Sequence, residues 1–576
     1  MGVIRHDFRD GLSVLGVDGS GIVNGRFVVT ASDAREALSN AGAEQLDSIG
    51  KGIRGSLTLY LYDPRAETAY VLVDPLGGSL TYSFEAEGIF SISSHVEQMA
   101  DLLSGEPVSP QKSLAYAMSQ LATGMYGGVV ESSYEGTKLL PPASYVSVRS
   151  NGHQIHRYDC VGVETDAASM SWSEAVERAR FEIIENVRVT AEYGAPRQIA
   201  HLTGGMDSRL VLGAALASRT TDAFAFNTRG SEHTRDKIVA RALSSVFGLQ
   251  MTDDPGLSEA VPPGTREDSI LGPLRFTGGL AVPPVHGGMY PSGTVTLAGG
   301  YGEFYRSYSR PQDYINTRVS AREGALTKWG SYAFGEQPAE RLFTDELVEG
   351  FLLPIEESME FAAAKGLGPD TWVDIYYRRR RNRHFVGEIS RAWSRRAPRF
   401  DPLYSTFVSE YLLRRSFDER VSAAFQFDVM AALEVSLPQY PFDTSRFSPT
   451  YLALRGQPTT REFPQGILAP HVNDWSSRKP AVAVERYHDG REVLPQDKST
   501  ASRYGISTPA AAAVRVASRN VVRLMQEMPG TELDRTIKPS VLHKIRGRAW
   551  RHEWSRRALF TIERGLAWYL DGPGDR

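Results

Sequence analysis

"AHLTGGMDSRLV", residues 200–211, is the stretch on which the reading of this chain turns. Small apolar residues enter a Thr-Gly-Gly turn, and an Asp-Ser-Arg triplet then leads into a helical run. Glycines after a strand let the backbone approach a ligand closely, and the helix that follows aims its N–H groups and positive dipole end at the same point. An anion suits that place. Thr203 and Ser208 add hydroxyl donors, and Asp207 beside an anion makes best sense as a ligand for a magnesium ion that phosphates share. The Walker loop is excluded, because it needs a lysine and a longer turn. A second reading stays open from the local residues alone: Gly204 and Gly205 make a tight strand-to-helix turn, and Ser208 caps the helix.

The flanking sequence supplies the setting. "RQIAHL" predicts a strand, "DSRLVLGAALAS" a helix, "DAFAFNT" a second strand, and "TRDKIVARALSSVFG" a helix with Val239, Leu243 and Val246 on one face and Gly248 as its stop. Elements in this order imply a parallel sheet with right-handed crossovers. Upstream the texture differs. "SLTLYLYDPRAETAYVLVDPLGGSLTYSF", residues 56–84, alternates in three short runs broken by Asp63-Pro64 and Leu76-Gly77-Gly78, and predicts a meander. "TKLLPPASYVSVRSNGHQIHRYD" adds a strand pair around Asn151-Gly152. "SWSEAVERARFEIIENVRVTAEY" reads as a capped helix and places a domain start near residue 165. Beyond about residue 310 the chain reads as mostly helical.

Composition bounds the rest. The chain has 576 residues, which suits two or three domains, and a hydrophobic content of 41% with 23% charged residues is that of a globular protein. A pI near 6.4 gives no reason to expect nucleic acid. A single cysteine, Cys160, rules out an internal disulfide and Cys-based metal sites, and suits a reducing cytoplasm. The start, "MGVIRHDFRD", carries no secretory signal, and no window is apolar for long enough to span a membrane.

"LTGGMDS" resembles the Ser-Gly-Gly-x-Asp-Ser pyrophosphate loop of the class B asparagine synthetase family, with Thr203 for the usual serine. The resemblance continues in "VLVDPLGGSLTYSFEAEGIFSISSHVEQM" and "LLPPASYVSV", which are similar to the family's N-terminal domain. It extends to "LAGGYGEFYRSY", similar to a second glycine-rich acidic loop, and to "APRFDPLYSTFV", similar to a Pro-Phe-x-Asp segment. It implies an α/β protein. Residues 1–165 would form an Ntn-hydrolase-like α/β/β/α sandwich, residues 166–540 an ATP-pyrophosphatase domain with a parallel sheet, and residues 541–576 a basic helical extension. Thr203, Gly204, Gly205, Met206, Asp207 and Ser208 would hold ATP, and Asp207 with Glu303 a Mg2+ ion.

Family members that use glutamine carry cysteine after the initiator methionine, where Gly2 stands here, and His95 replaces an expected glutamate. The resemblance therefore implies the branch without glutaminase activity, that of β-lactam synthetases and lasso peptide cyclases. There ATP adenylates a carboxylate and an amine attacks it, releasing AMP. The substrate expected is a small molecule or peptide carrying a carboxylate, with an amine nucleophile; an ammonia-dependent amidotransferase and a catalytically silent scaffold are the alternatives. "GGYGE" is similar to the tyrosine loop of β-lactam synthetases, so Tyr301, partnered by a glutamate such as Glu388, is the expected base, with an aromatic plug as its other reading. Glu303 is a metal ligand or a solvated loop acid.

Other residues stay open. Asp236 suits either an acidic site position or a helix first turn. Arg209 either reaches a phosphate or faces solvent. The run Arg378, Arg379, Arg380, Arg381 and Arg383 cannot share one helix face, so most are expected in solvent, with one or two pointing to a phosphate or a substrate carboxylate. The late lysine of the family would be Lys479, Lys498 or Lys538. The C-terminal "LHKIRGRAWRHEWSRRALFTIERGLAWYL" is a basic amphipathic helix expected to pack on its own domain or a second subunit, as in a homodimer.

Overall fold

The computed structural model describes residues 12–106, 108–123, 132–228, 235–252, 292–307, 342–394, 397–444, 447–464, 492–528 and 530–571. Alternation of apolar and hydroxyl side chains builds the first layer. Strand β3 (Arg54–Asp63) turns Leu57, Leu59 and Leu61 toward Ala34, Leu38, Leu46 and Ile49, which lie on and beside the helices Ala31–Ala37 and Leu46–Gly52. Its opposite face carries Thr58, whose hydroxyl lies 2.7 Å from both the Ser79 and Thr81 hydroxyls. A buried hydroxyl needs such a partner, so this face is held by hydrogen bonds to the second layer. With β1 (Ser13–Val23), β2 (Arg26–Val28), β4 (Thr68–Val73), β8 (Ser144–Arg149) and β9 (Gly152–Arg157), the antiparallel sheet runs β2-β1-β3-β4-β8-β9. The hairpin at Asn151-Gly152 forms as expected, with Arg149 opposite Gly152.

The expected meander is corrected at its third run. β5 (Tyr82–Ala86) leaves the first sheet and pairs with β6 (Ile89–Ser93) and β7 (Thr137–Leu139) in a separate antiparallel sheet. The cause is Asp74. Its buried carboxylate accepts from the amides of Leu76, Gly78 and Ser79 at 2.8–3.1 Å and from the Tyr404 hydroxyl at 2.7 Å, which folds the chain away from β4.

The third sheet is parallel, in the order β11-β10-β12-β13, from β10 (Arg197–His201), β11 (Ala225–Asn227), β12 (Thr294–Leu297) and β13 (Arg399–Phe400). Its neighbours pair in parallel, Ile199 with both Ala225 and Thr296. Chain order reverses between β10 and β12, so the loops after these two strands open onto one crevice. The expectation of a mixed α/β protein with a parallel sheet holds.

The terminal helix Glu553–Leu570 is no appendage. Leu559, Ile562, Leu566 and Trp568 share a core with Leu80, Tyr82, Phe84 and Met118 of the first 165 residues, and with Val514, Ala517 and Val521 of the helix Thr508–Glu527. Among the described residues no helix is long and apolar enough to cross a membrane.

The arginine run corrects another expectation. Residues Tyr377–Arg381 and Arg383–Gly387 form π-helical turns. Arg378 donates to the Ser409 carbonyl, Arg379 lies over the Phe361 ring and Arg380 pairs with Glu357. Arg383 reaches the carbonyls of Gly77 at 2.9 Å and Leu140 at 2.7 Å, within the first 165 residues. Arg378 and Arg383 are buried and bind segments together, Arg380 and Arg381 are half-buried, and Arg379 is exposed as expected.

Candidate functional site

At the carboxyl end of β10 the chain turns through Thr203, Gly204 and Gly205 into the helix Met206–Ala217, with Gly205 as its N-cap. The two hydroxyls foreseen as phosphate donors lock the turn. Ser208 Oγ accepts from the Thr203 amide and lies 3.0 Å from the Thr203 hydroxyl, whose oxygen accepts in turn from the Gly205 amide at 3.1 Å. Asp236, in the first turn of the helix Arg235–Phe247, accepts from the Gly204 amide at 3.0 Å and so links the loop to its neighbour. A 12-residue helix N-terminus, which suits an anion, opens at this turn, and glycine is required where the loop is packed. A Cβ on Gly204 would come within 2.6 Å of Asp443 Cβ, and the Asp443 amide donates to the Gly204 carbonyl at 3.1 Å.

Arg209 corrects the solvent-facing expectation. It is fully buried, at 0% exposure. Its guanidinium donates to the carbonyls of Leu437 and Tyr440, both at 2.9 Å, and of Pro441, and lies 3.7 Å from the centre of the Phe442 ring. The arginine thereby clamps residues 437–443 against the glycine loop.

The second loop follows β12. Gly300 donates its amide to Asp401 at 2.8 Å, and Asp401 pairs with Arg399 at 2.9 Å, so the segment after β13 fixes the turn. Tyr301 takes the left-handed conformation, φ 66°, and the short helical turn Gly302–Tyr305 follows. Gly299 and Gly302 both leave room for Asp207, whose side chain a Cβ at either position would meet.

Two carboxylates expected on magnesium, Asp207 and Glu303, face a guanidinium. Arg306 donates to both Glu303 oxygens, at 2.6 and 2.8 Å, and stands 3.8 Å from Asp207 Oδ1. Gln426 completes the arrangement, donating to Asp207 Oδ1 at 2.7 Å and accepting from Arg306 at 3.3 Å. Burial works against the Arg306 charge, but the two carboxylates outweigh it and hold its pKa above the usual arginine range. Among the described residues no group of three or more His, Cys, Asp or Glu side chains is placed to hold a metal. As arranged, with Arg306 between them, the carboxylate pair does not fit a divalent ion.

Tyr301 and Glu388 have different partners. The Tyr301 ring, 1% exposed, packs edge-on against Phe304 and Tyr404, and its hydroxyl lies 3.1 Å from the Ser56 hydroxyl of β3. Burial, with the Asp74 charge nearby, pushes that hydroxyl well above the usual tyrosine pKa. This favours the aromatic plug over the base. Glu388 is buried beneath Arg391, which donates to it at 2.7 and 3.0 Å and to Glu97 of the helix Val96–Leu102 at 3.1 Å. Burial raises the Glu388 carboxyl to about 7, against the pull of Arg391.

The late lysines divide three ways. Lys479 lies outside the described residues, as does Gly2. Lys498 is exposed on the helix Pro495–Tyr504, and Lys538 pairs with Asp345 at 3.4 Å. His95 stands 3.7 Å from Asp18. The residues missed from the sequence are Arg306, Gln426 and Asp443, whereas Asp401 lies in the quoted segment 397–408. Arg306 carried a signal, lying three residues after Glu303 within reach of it on a helical turn. Gln426 and Asp443 arrive from more than 200 residues away in the chain and carried none. No protein-family model matches the chain, and no curated protein matches it.

Proposed function

We propose that this chain is an ATP-dependent, AMP-forming carbon–nitrogen ligase without glutaminase activity, acting on a small-molecule or peptide carboxylate. The observation that carries the reading is the Thr203–Ser208 turn: a glycine loop at the carboxyl end of a parallel strand, beside the point where strand order reverses, with a helix N-terminus and two hydroxyls converging on it. The same reading takes the two antiparallel sheets as an Ntn-like domain and the parallel sheet as an ATP-pyrophosphatase domain. In the reaction a substrate carboxylate oxygen attacks the α-phosphorus of ATP, and the α–β bridging bond breaks to release pyrophosphate. An amine then attacks the acyl carbon, loses its proton and expels AMP. The helix dipole acts on the leaving pyrophosphate, whose charge grows as the bond breaks, while the Thr203 and Ser208 hydroxyls hold the loop in shape. Tyr301 acts here as a positioning residue, holding the second loop against β3 through Ser56.

A second reading, a scaffold without catalysis, is favoured by one observation: Arg306 fills the space between Asp207 and Glu303 that a metal ion would need. Exchange of labelled pyrophosphate into ATP, run with the full chain over a panel of amino-substituted carboxylic acids, separates the two. The ligase predicts exchange with AMP as the only nucleotide product. ADP as product excludes the ligase, and failure to bind ATP at millimolar concentration selects the scaffold.

A further inference from the structure

The three amides of the glycine loop are all engaged within the chain. Thr203 donates to Ser208 Oγ at 3.0 Å, Gly205 to the Thr203 hydroxyl at 3.1 Å and Gly204 to Asp236 Oδ1 at 3.0 Å. The first two bonds are local and shape the turn. The third is of another kind, because Asp236 belongs to the first turn of the helix Arg235–Phe247 and brings a carboxylate to the loop from 32 residues away. Gly204 stands one residue ahead of Gly205, the N-cap of the helix Met206–Ala217, which has no side-chain cap of its own. The carboxylate thus lies where the positive end of a helix dipole favours negative charge, as it would favour a phosphate.

The opposite charge of the site is met in the same way. Arg306 takes both Glu303 oxygens and stands 3.8 Å from Asp207, and its remaining N–H groups reach Gln426 and the Met206 sulfur, both at 3.3 Å. Its position is fixed by the next residue: the Ser307 amide donates to the Arg420 carbonyl at 2.9 Å and the Ser307 hydroxyl to Asp374 at 2.7 Å. Asp236 is differently placed. It is half-buried at a helix start, so rotation of its side chain carries the carboxylate toward water. An anion reaching for the Gly204 amide finds a like charge already there, and the two cannot share it.

We infer that the glycine loop is held closed by the chain's own carboxylate: Asp236 occupies the amide that an incoming polyphosphate requires, and the anion binds only as Asp236 turns away. This autoinhibitory contact rests on the reading of the loop as a pyrophosphate site. Affinity is then set by how often Asp236 leaves as well as by the contacts the anion makes. Inorganic pyrophosphate, titrated into the full chain by calorimetry near neutral pH and at constant ionic strength, is the probe. Asp236→Ala should bind it more tightly than wild type by roughly 10- to 100-fold, the worth of a hydrogen bond to a charged group. Asp236→Asn keeps an acceptor and loses the charge, so it should gain by a smaller factor, and it decides alone if the alanine variant does not fold. Asp222 is exposed in the turn before β11, at the opposite end of that strand from the loop. Asp222→Ala removes the same charge there and should leave the affinity within about 2-fold of wild type. Equal affinity in wild type and Asp236→Ala overturns the inference, as does an equal gain in Asp222→Ala. Weaker binding by Asp236→Ala also overturns it and makes Asp236 a support of the loop. Pyrophosphate bound by none of these proteins up to about 10 mM would instead refute the pyrophosphate site itself, and the closed loop with it.

Discussion

Replacing Glu388 by glutamine should change how the protein responds to pH. The carboxyl lies buried under Arg391, with Glu97 on the far side of the same guanidinium, and burial lifts it from an ordinary value of 4.5 to about 7. The sign follows from proton counting. Below the unfolded pKa both states are protonated and the shift has no effect on stability. Between about 4.5 and 7 the folded protein keeps a proton that the unfolded chain has released, so stability falls by about 1.4 kcal/mol per pH unit. Above the folded value the loss is complete, and over the whole window it amounts to about 3 kcal/mol. Glutamine cannot ionise, yet its carbonyl still accepts from Arg391. The stability of Glu388→Gln relative to wild type should therefore rise by about 3 kcal/mol between about pH 5 and pH 8, read from paired urea unfolding curves. The wild-type-minus-variant infrared difference supplies the direct assay, since the protonated carboxyl band should disappear with a midpoint near 7. A midpoint below about pH 5.5, or a stability difference that stays flat across the window, would refute the reasoning.

Two other substitutions probe the glycine loops. Arg306→Met should free Asp207 and Glu303 and create a Mn2+ site, detected by electron paramagnetic resonance, where the wild-type pair binds none; a folded variant that gains no Mn2+ would show that the guanidinium is not what fills the site. Arg209→Ala leaves the Leu437 and Tyr440 carbonyls without their donor and opens a space beside Phe442. It should cost roughly 2–5 kcal/mol and speed hydrogen exchange in residues 437–443, and a loss under about 1 kcal/mol would mean that the clamp carries little of the loop's order.

Local grammar made the glycine loop legible. A strand, two glycines and an apolar helix follow one another within 21 residues, from Arg197 to Ala217, and each is set by its own sequence. The hairpin at Asn151-Gly152 was readable for the same reason. What escaped the sequence depends on partners far along the chain. Leaving β4 for a new sheet requires the Asp74 turn, and that turn is completed by Tyr404, 330 residues later. Arg209 reads as a surface arginine because its acceptors are main-chain carbonyls, which any residue could supply. The arginine run misled because its partners, Ser409, Phe361, Glu357, Gly77 and Leu140, lie 18 or more residues away in sequence on several different segments. Arg306 lay in plain view, but its capture of two expected metal ligands depends on Gln426 and on the bend after Gly299, neither marked by a motif.

The core shared by residues 80–118 and the last helix bears on how the protein is made. Lys112 and Trp568 are 456 residues apart in sequence. At bacterial and eukaryotic synthesis rates of about 5–20 residues per second, the ribosome delivers the second roughly 20–90 s after the first. Throughout that interval Tyr82, Phe84 and Met118 have no terminal helix to cover them, so the nascent chain carries an open apolar surface for far longer than a small domain needs to collapse. Chaperone capture during translation is the natural means of shielding it, and a stalled or prematurely ended chain would present that surface to other chains instead.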